Sequence, residues 1–168
     1  MTKKEYLKNL ASPLPNAVLK KYPNGNIMQL WAESPLLYSS AFGQNDDLHH
    51  YLGGQSGLDI ATKHGDPVVA CQDGTVSFIK TDPTTLGGLQ VNIQSPTLAD
   101  VDGSVIIAHA YAHLSDWVVT QGQNVKKGDL IGHEGNTGFI VSGSTSYWGN
   151  APAGVGTHLH WGLYEFFL

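Results

Sequence analysis

A chain of 168 residues is long enough for one domain of ordinary size with a substantial hydrophobic core. Charged residues are only 14% of it, against roughly 25% in a typical globular protein, while 20 glycines and 8 prolines favour a turn-rich β architecture over a helix bundle. Nine lysines, no arginine and 14 acids give a net charge of −5 and no basic patch, which excludes nucleic acid as a partner, and no apolar run is long enough for a membrane span.

Thr2 followed three residues later by Glu5 predicts a short capped helix over 2–10. Five of the nine lysines lie in the first 21 positions, and Pro13, Pro15, Pro23 and Pro35 then interrupt regular structure. Residues 1–35 therefore read as an N-terminal arm that packs on, or leads into, a domain occupying 36–168. The start Met1 to Tyr6 has no apolar segment after it and does not read as a secretory signal. From about Phe42 the signals are strands, over 67–70, 75–81, 89–94, 104–112, 129–131 and 158–167, rich in Val, Ile and aromatics. Asp73-Gly74 between two such runs reads as a hairpin turn. The Gly, Ser, Asn and Pro content of 139–156 reads as a long surface loop. Cys71, the one cysteine, rules out an internal disulfide and reads as a small buried apolar residue.

The chemistry lies in the histidines, all eight of which fall between His49 and His160. In His158-Leu159-His160 the two-residue period of a strand puts both imidazoles on one face, with Leu159 and Trp161 on the other. Two such groups can share a metal, or one can bind metal while the other moves protons. Along 105–115, alternation likewise places His109, Tyr111 and His113 on one face. Hydrogen-bonded histidines on a half-exposed sheet would give the same pattern. In Gly57-Leu58-Asp59-Ile60 a carboxylate sits between apolar residues, where it is costly to bury unless paired or bound to metal. His64 and His133 carry no pattern and read as surface or packing residues.

Taken together, these elements resemble the lysostaphin-type (LytM) zinc metallopeptidases, which cut peptide bonds in bacterial peptidoglycan. The resemblance runs in order from Gly57-Leu58-Asp59 through Tyr111-Ala112-His113-Leu114 and 121–132 to Gly135-Asn136-Thr137-Gly138 and His158-Leu159-His160. It implies a mainly β, antiparallel sheet or sandwich groove (a duplicated hybrid motif) behind the short arm. It also implies Asp59 and His160 as zinc ligands, and His113 and His158 as catalytic histidines that polarise the water and stabilise the tetrahedral intermediate. Tyr111, Tyr147 and Trp148 are the candidate substrate contacts, the last two either walling a groove or anchoring the 139–157 insertion. The implied partner is peptidoglycan, and the lack of a signal segment is expected to mean delivery by a phage tail or lysis assembly.

One position departs from the pattern. The family's first zinc ligand is a histidine four residues before the aspartate, and here that residue is Gln55. A carboxamide oxygen is a poor zinc ligand. Three readings follow: weaker zinc held by Asp59, His160 and either Gln55 or water; substitution by His49 or His50; or a degenerate module that binds peptidoglycan or a partner without cutting. A lipoyl- or biotinyl-type carrier, suggested by Val125-Lys126-Lys127-Gly128, leaves the histidines unexplained.

Overall fold

The computed structural model describes residues 1–21, 27–31, 58–60 and 62–168. The boundary expected at 35/36 and residues Phe42, His49, His50 and Gln55 lie outside the described residues.

Thr2 caps the helix α1 (Lys3–Lys8). Its hydroxyl accepts from the Glu5 N–H at 3.2 Å, and the Glu5 carboxylate accepts from the Thr2 N–H at 2.8 Å, the reciprocal pair that the spacing predicts. Six residues are too few for a helix to persist alone. This one is held from outside: Tyr6 is buried, and Lys3 Nζ lies 2.9 Å from Asp100 and 2.6 Å from Glu165. The chain after it is not the strandless arm expected from its prolines. Strands β1 (Ala17–Lys21) and β2 (Ile27–Trp31) pair antiparallel between them.

The following strands are β3 (Leu58–Ile60), β4 (Pro67–Val69), β5 (Gly74–Lys80), β6 (Leu89–Gln94), β7 (Leu98–Asp100), β8 (Gly103–Trp117), β9 (Asn124–Val125), β10 (Leu130–Glu134), β11 (Phe139–Ser142), β12 (Thr145–Trp148) and β13 (Leu159–Phe167). The main antiparallel sheet has the order β3-β13-β8-β6-β5-β9, with β7 and β10 also on β8 and β4 on β10. Strand alternation divides its faces. Val91, Ile93, Ile107, Tyr111, Trp161 and Leu163 are buried in the core, while Asn92, Ala108, Ala110, Ala112 and Tyr164 line an open groove on the other side. The fold is the mainly β, antiparallel sheet and groove that the sequence predicts.

Two local expectations fail. Asp73-Gly74 does not join a hairpin, because β4 pairs with β10 and β5 pairs with β6 and β9. The Asp73 carboxylate instead accepts from the Lys127 N–H at 2.9 Å, tying two loops. The expected loop at 139–156 contains the hairpin β11–β12, with Phe139 opposite Trp148 and Ile140 opposite Tyr147. At the hairpin's base the Gly149 N–H donates to Gly138 O at 2.9 Å.

Candidate metal and catalytic site

His113 reaches the groove by an irregularity in β8. Leu89 pairs with Leu114 and Val91 with Tyr111, so Ala112 and His113 together face Gln90 alone. This is a β-bulge, and His113 has φ of 62°, a left-handed conformation that costs a residue with a Cβ. The bulge re-aims the side chain. By strict alternation His113 would share a face with His109 and Tyr111, but it lines the groove beside Ala108, Ala110 and Ala112.

Across the groove floor, β13 carries His160 opposite Asp59 on β3. His160 Nδ1 lies 2.8 Å from Asp59 Oδ1, and His158 Nε2 lies 3.9 Å from the same oxygen. The His113 and His158 rings are 4.6 Å apart between centroids. Leu159 and Trp161 point into the core with no exposure, which leaves the two histidines to the groove. Asp59, His113, His158 and His160 thus line one cavity of about 670 Å³.

Two backbone carbonyls fix the tautomers. Thr137 O accepts from His113 Nδ1 at 2.7 Å, and Gly156 O accepts from His158 Nδ1 at 2.8 Å. A carbonyl can only accept, so each Nδ1 carries a proton, and in the neutral ring the lone pair lies on Nε2. Burial, and then the neighbouring His158, holds the His113 imidazole down to about 3, so it is neutral at neutral pH. The Thr137 segment is itself braced, its hydroxyl donating to Leu114 O at 2.7 Å and accepting from Leu89 N–H at 3.0 Å. Gly88 and Gly138 meet backbone to backbone there, and a Cβ on Gly88 would lie 2.4 Å from the Thr137 carbonyl carbon.

The donor chemistry suits zinc: a carboxylate oxygen and an imidazole nitrogen adjoin on neighbouring strands, with oriented histidines beside them. Among the described residues, however, no three His, Cys, Asp or Glu side chains are grouped to hold a metal ion. Gln55, at the position where the resemblance expects a further ligand, lies outside the described residues.

The expected substrate contacts divide. Tyr111 faces the core, buried, its hydroxyl 2.9 Å from Cys71 Sγ, because it precedes the bulge. It does not line the groove. Trp148 is half-exposed and packs on Phe139, centroids 4.6 Å apart, and Phe139 lines the groove. Tyr147 lies in β12 opposite Ile140, away from the groove lining. His64 and His133 make surface contacts, His64 with Thr157 at 2.9 Å and His133 with Asp116 at 2.8 Å. Groove residues that the sequence reading did not single out include Gln90, Asn92 and Gln94 on β6. Their alternation was the available signal.

A second, closed cluster lies on the opposite face of β8. His109 Nε2 lies 2.7 Å from Tyr6 Oη and its Nδ1 3.0 Å from Cys71 Sγ, one nitrogen donating and the other accepting. Burial pushes the Cys71 thiol up to about 12 and His109 down to about 3, so both stay neutral.

Residues 53–166 match the model of peptidase family M23, and the chain belongs to this family, the lysostaphin-type or LytM peptidases. Half of the chain is 35% identical, over 84 residues, to the cell division protein DipM of Caulobacter vibrioides, of whose length it covers 12%. The catalytic domain of the prophage-encoded M23 protein EnpA from Enterococcus faecalis is similar in structure, with TM-score 0.50 and 25% identity over 77% of this chain and 81% of that one. A peptidase M23 structure from Pseudomonas aeruginosa shares the fold, with TM-score 0.51 and 24% identity, over 93% of this chain and 44% of that one.

Proposed function

We propose that the chain is a zinc-dependent endopeptidase that cuts peptide cross-links of bacterial peptidoglycan. The observation that carries this reading is the 2.8 Å approach of His160 Nδ1 to Asp59 Oδ1 beside two histidines of fixed tautomer. Asp59 and His160 would hold the metal, with Gln55 or a water completing the set. Zinc supplies Lewis acidity and lowers the pKa of a bound water toward about 7.

The protein's own groups do the rest. His113 and His158, each holding a proton on Nδ1, offer an Nε2 lone pair that takes a proton from the attacking water and returns one to the leaving amine. The small floor formed by Ala108, Ala110 and Ala112 lets an extended peptide lie close to the sheet, and the amides of Gln90 and Asn92 offer it both donors and acceptors. Phe139, backed by Trp148, closes one side with apolar surface.

Gln55 favours a second reading, a module of the same fold that binds the wall without cutting it. One experiment separates them. Protein purified without chelator is assayed for zinc and for release of soluble fragments from purified cell walls, with and without chelator and zinc re-addition. The peptidase reading expects bound zinc and chelator-sensitive release. Wall binding without release, at saturating zinc, overturns it in favour of the second reading.

A further inference from the structure

Glu134, at the end of β10, is a fully buried carboxyl that no step above uses. Its oxygens collect donors from two chain segments. The Thr62 N–H lies 3.2 and 3.3 Å from them, and the Thr62 hydroxyl donates as well. The Leu159 N–H faces the same carboxyl and favours its charged form. Thr62 follows the exit of β3, three residues beyond Asp59, and Leu159 sits between His158 and His160.

Glu134 is also held by its own backbone. Its N–H donates to Asp66 O and its C=O accepts from the Gly65 N–H, both at 2.8 Å. The carbonyl of the next residue, Gly135, accepts from the His158 N–H at 3.2 Å. Among the described residues, β3 and β13 pair at Ile60 with Leu159, Asp59 with His160 and Leu58 with Trp161. A slip of one residue in this pairing would turn Asp59 away from the groove.

We propose that Glu134 is a positioning residue: its carboxyl clamps the start of β13 to the exit of β3 and so keeps Asp59 and His160 in the register that lets both address one zinc ion. The use of that register rests on the zinc peptidase reading; the clamp itself does not. An aliphatic side chain would fill the same space and hold neither strand, since the work is done by acceptors facing three donors. A glutamine would retain most of it. Its one oxygen can accept from the two N–H groups, and its NH₂ can donate to the Thr62 hydroxyl oxygen.

The test compares Glu134→Leu, Glu134→Gln and Thr62→Val with the parent. Nitrogen-15 spectra of the metal-free imidazoles report the His160 Nδ1–H held by Asp59, and chelator competition reports zinc affinity. In folded Glu134→Leu the His160 signal is expected to collapse and zinc affinity to fall by about 10–100-fold. The His113 Nδ1–H, held by Thr137 O, stays unchanged. Glu134→Gln restores most of both, and Thr62→Val shows a smaller loss in the same direction. Should Glu134→Leu fail to fold, Thr62→Val against Glu134→Gln carries the comparison. Parent-like His160 signals and zinc affinity in folded Glu134→Leu, or in Thr62→Val where Glu134→Leu does not fold, overturn the clamp. So does a loss in Glu134→Gln as large as in Glu134→Leu. Wall hydrolysis is followed in parallel: a parent that binds zinc but cuts nothing overturns the peptidase reading and leaves the clamp standing.

Discussion

Two histidines four residues apart on β8 live in opposite chemistry. His109 has both ring nitrogens bonded, to Tyr6 and Cys71, and is 1% exposed. His113 has one nitrogen tied to Thr137 O and keeps the other lone pair beside His158 and the groove. The Cys71–His109 contact at 3.0 Å would pass for a nucleophile and its base if distance alone were considered. It is inert because burial keeps the thiol protonated and the groove does not reach it. What separates the two is a lone pair left open to the groove. The bulge at Ala112 and His113 decides which histidine has one.

The strongest way to break this contrast is His113→Ala. On the proposed peptidase reading, loss of a positioned proton-transfer group is expected to cost about 10²–10⁴ in the rate of wall hydrolysis, with zinc affinity unchanged. Zinc loss equal to the activity loss would put His113 among the ligands. Gln55→His supplies the imidazole that zinc prefers. The variant is expected to keep zinc through dialysis that strips the parent, and to hydrolyse walls faster. No gain in zinc would count against Asp59 and His160 as its partners.

The closed cluster predicts a pH effect instead. The folded His109 imidazole is held down to about 3 from an ordinary 6.5, so its contribution to stability is present above 6.5 and is lost as pH falls toward 3. The slope is at most about 1.4 kcal/mol per pH unit for one proton. Glu134 works the other way. Burial raises it to about 7, so it adds stability as pH falls from 7 to 4.5. The His109 effect is therefore read as the difference in urea-unfolding free energy between the parent and His109→Gln from pH 7 to 4.5. A difference that does not change with pH would contradict it. Tyr6→Phe is the smallest perturbation. It strips one partner from His109 and is expected to lower stability by about 1–3 kcal/mol, leaving zinc affinity alone. A drop in zinc affinity would show that the two clusters are coupled.

Much of this layout was legible in the residues. Alternation alone put His158 and His160 together with Leu159 and Trp161 behind them, and Thr2 with Glu5 announced the helix cap. The failures share a cause: partner strands and backbone irregularities carry no local signal. The positive φ of His113 is invisible in Tyr111-Ala112-His113, so strict alternation wrongly grouped it with Tyr111. Asp73-Gly74 has turn chemistry, but β4 found its partner in β10. The strands of β11–β12 were hidden by the glycines and serines around them. Glu134 looked like one more charged residue until Thr62 and Leu159 were seen to converge on it.

The hairpin β11–β12 begins and ends within one hydrogen bond, Gly149 N–H to Gly138 O. Its two feet therefore stay together whatever lies between them, and loop-closure entropy grows only slowly with inserted length. Residues 139–148 can be treated as an exchangeable cassette: a longer, shorter or differently charged hairpin should graft onto the same base without moving Thr137 or the histidine it orients. On the proposed peptidase reading, selectivity for one wall chemistry over another would then diversify at this rim while the histidines of the groove stay constant. A library confined to these ten positions is the direct route to retargeting the protein.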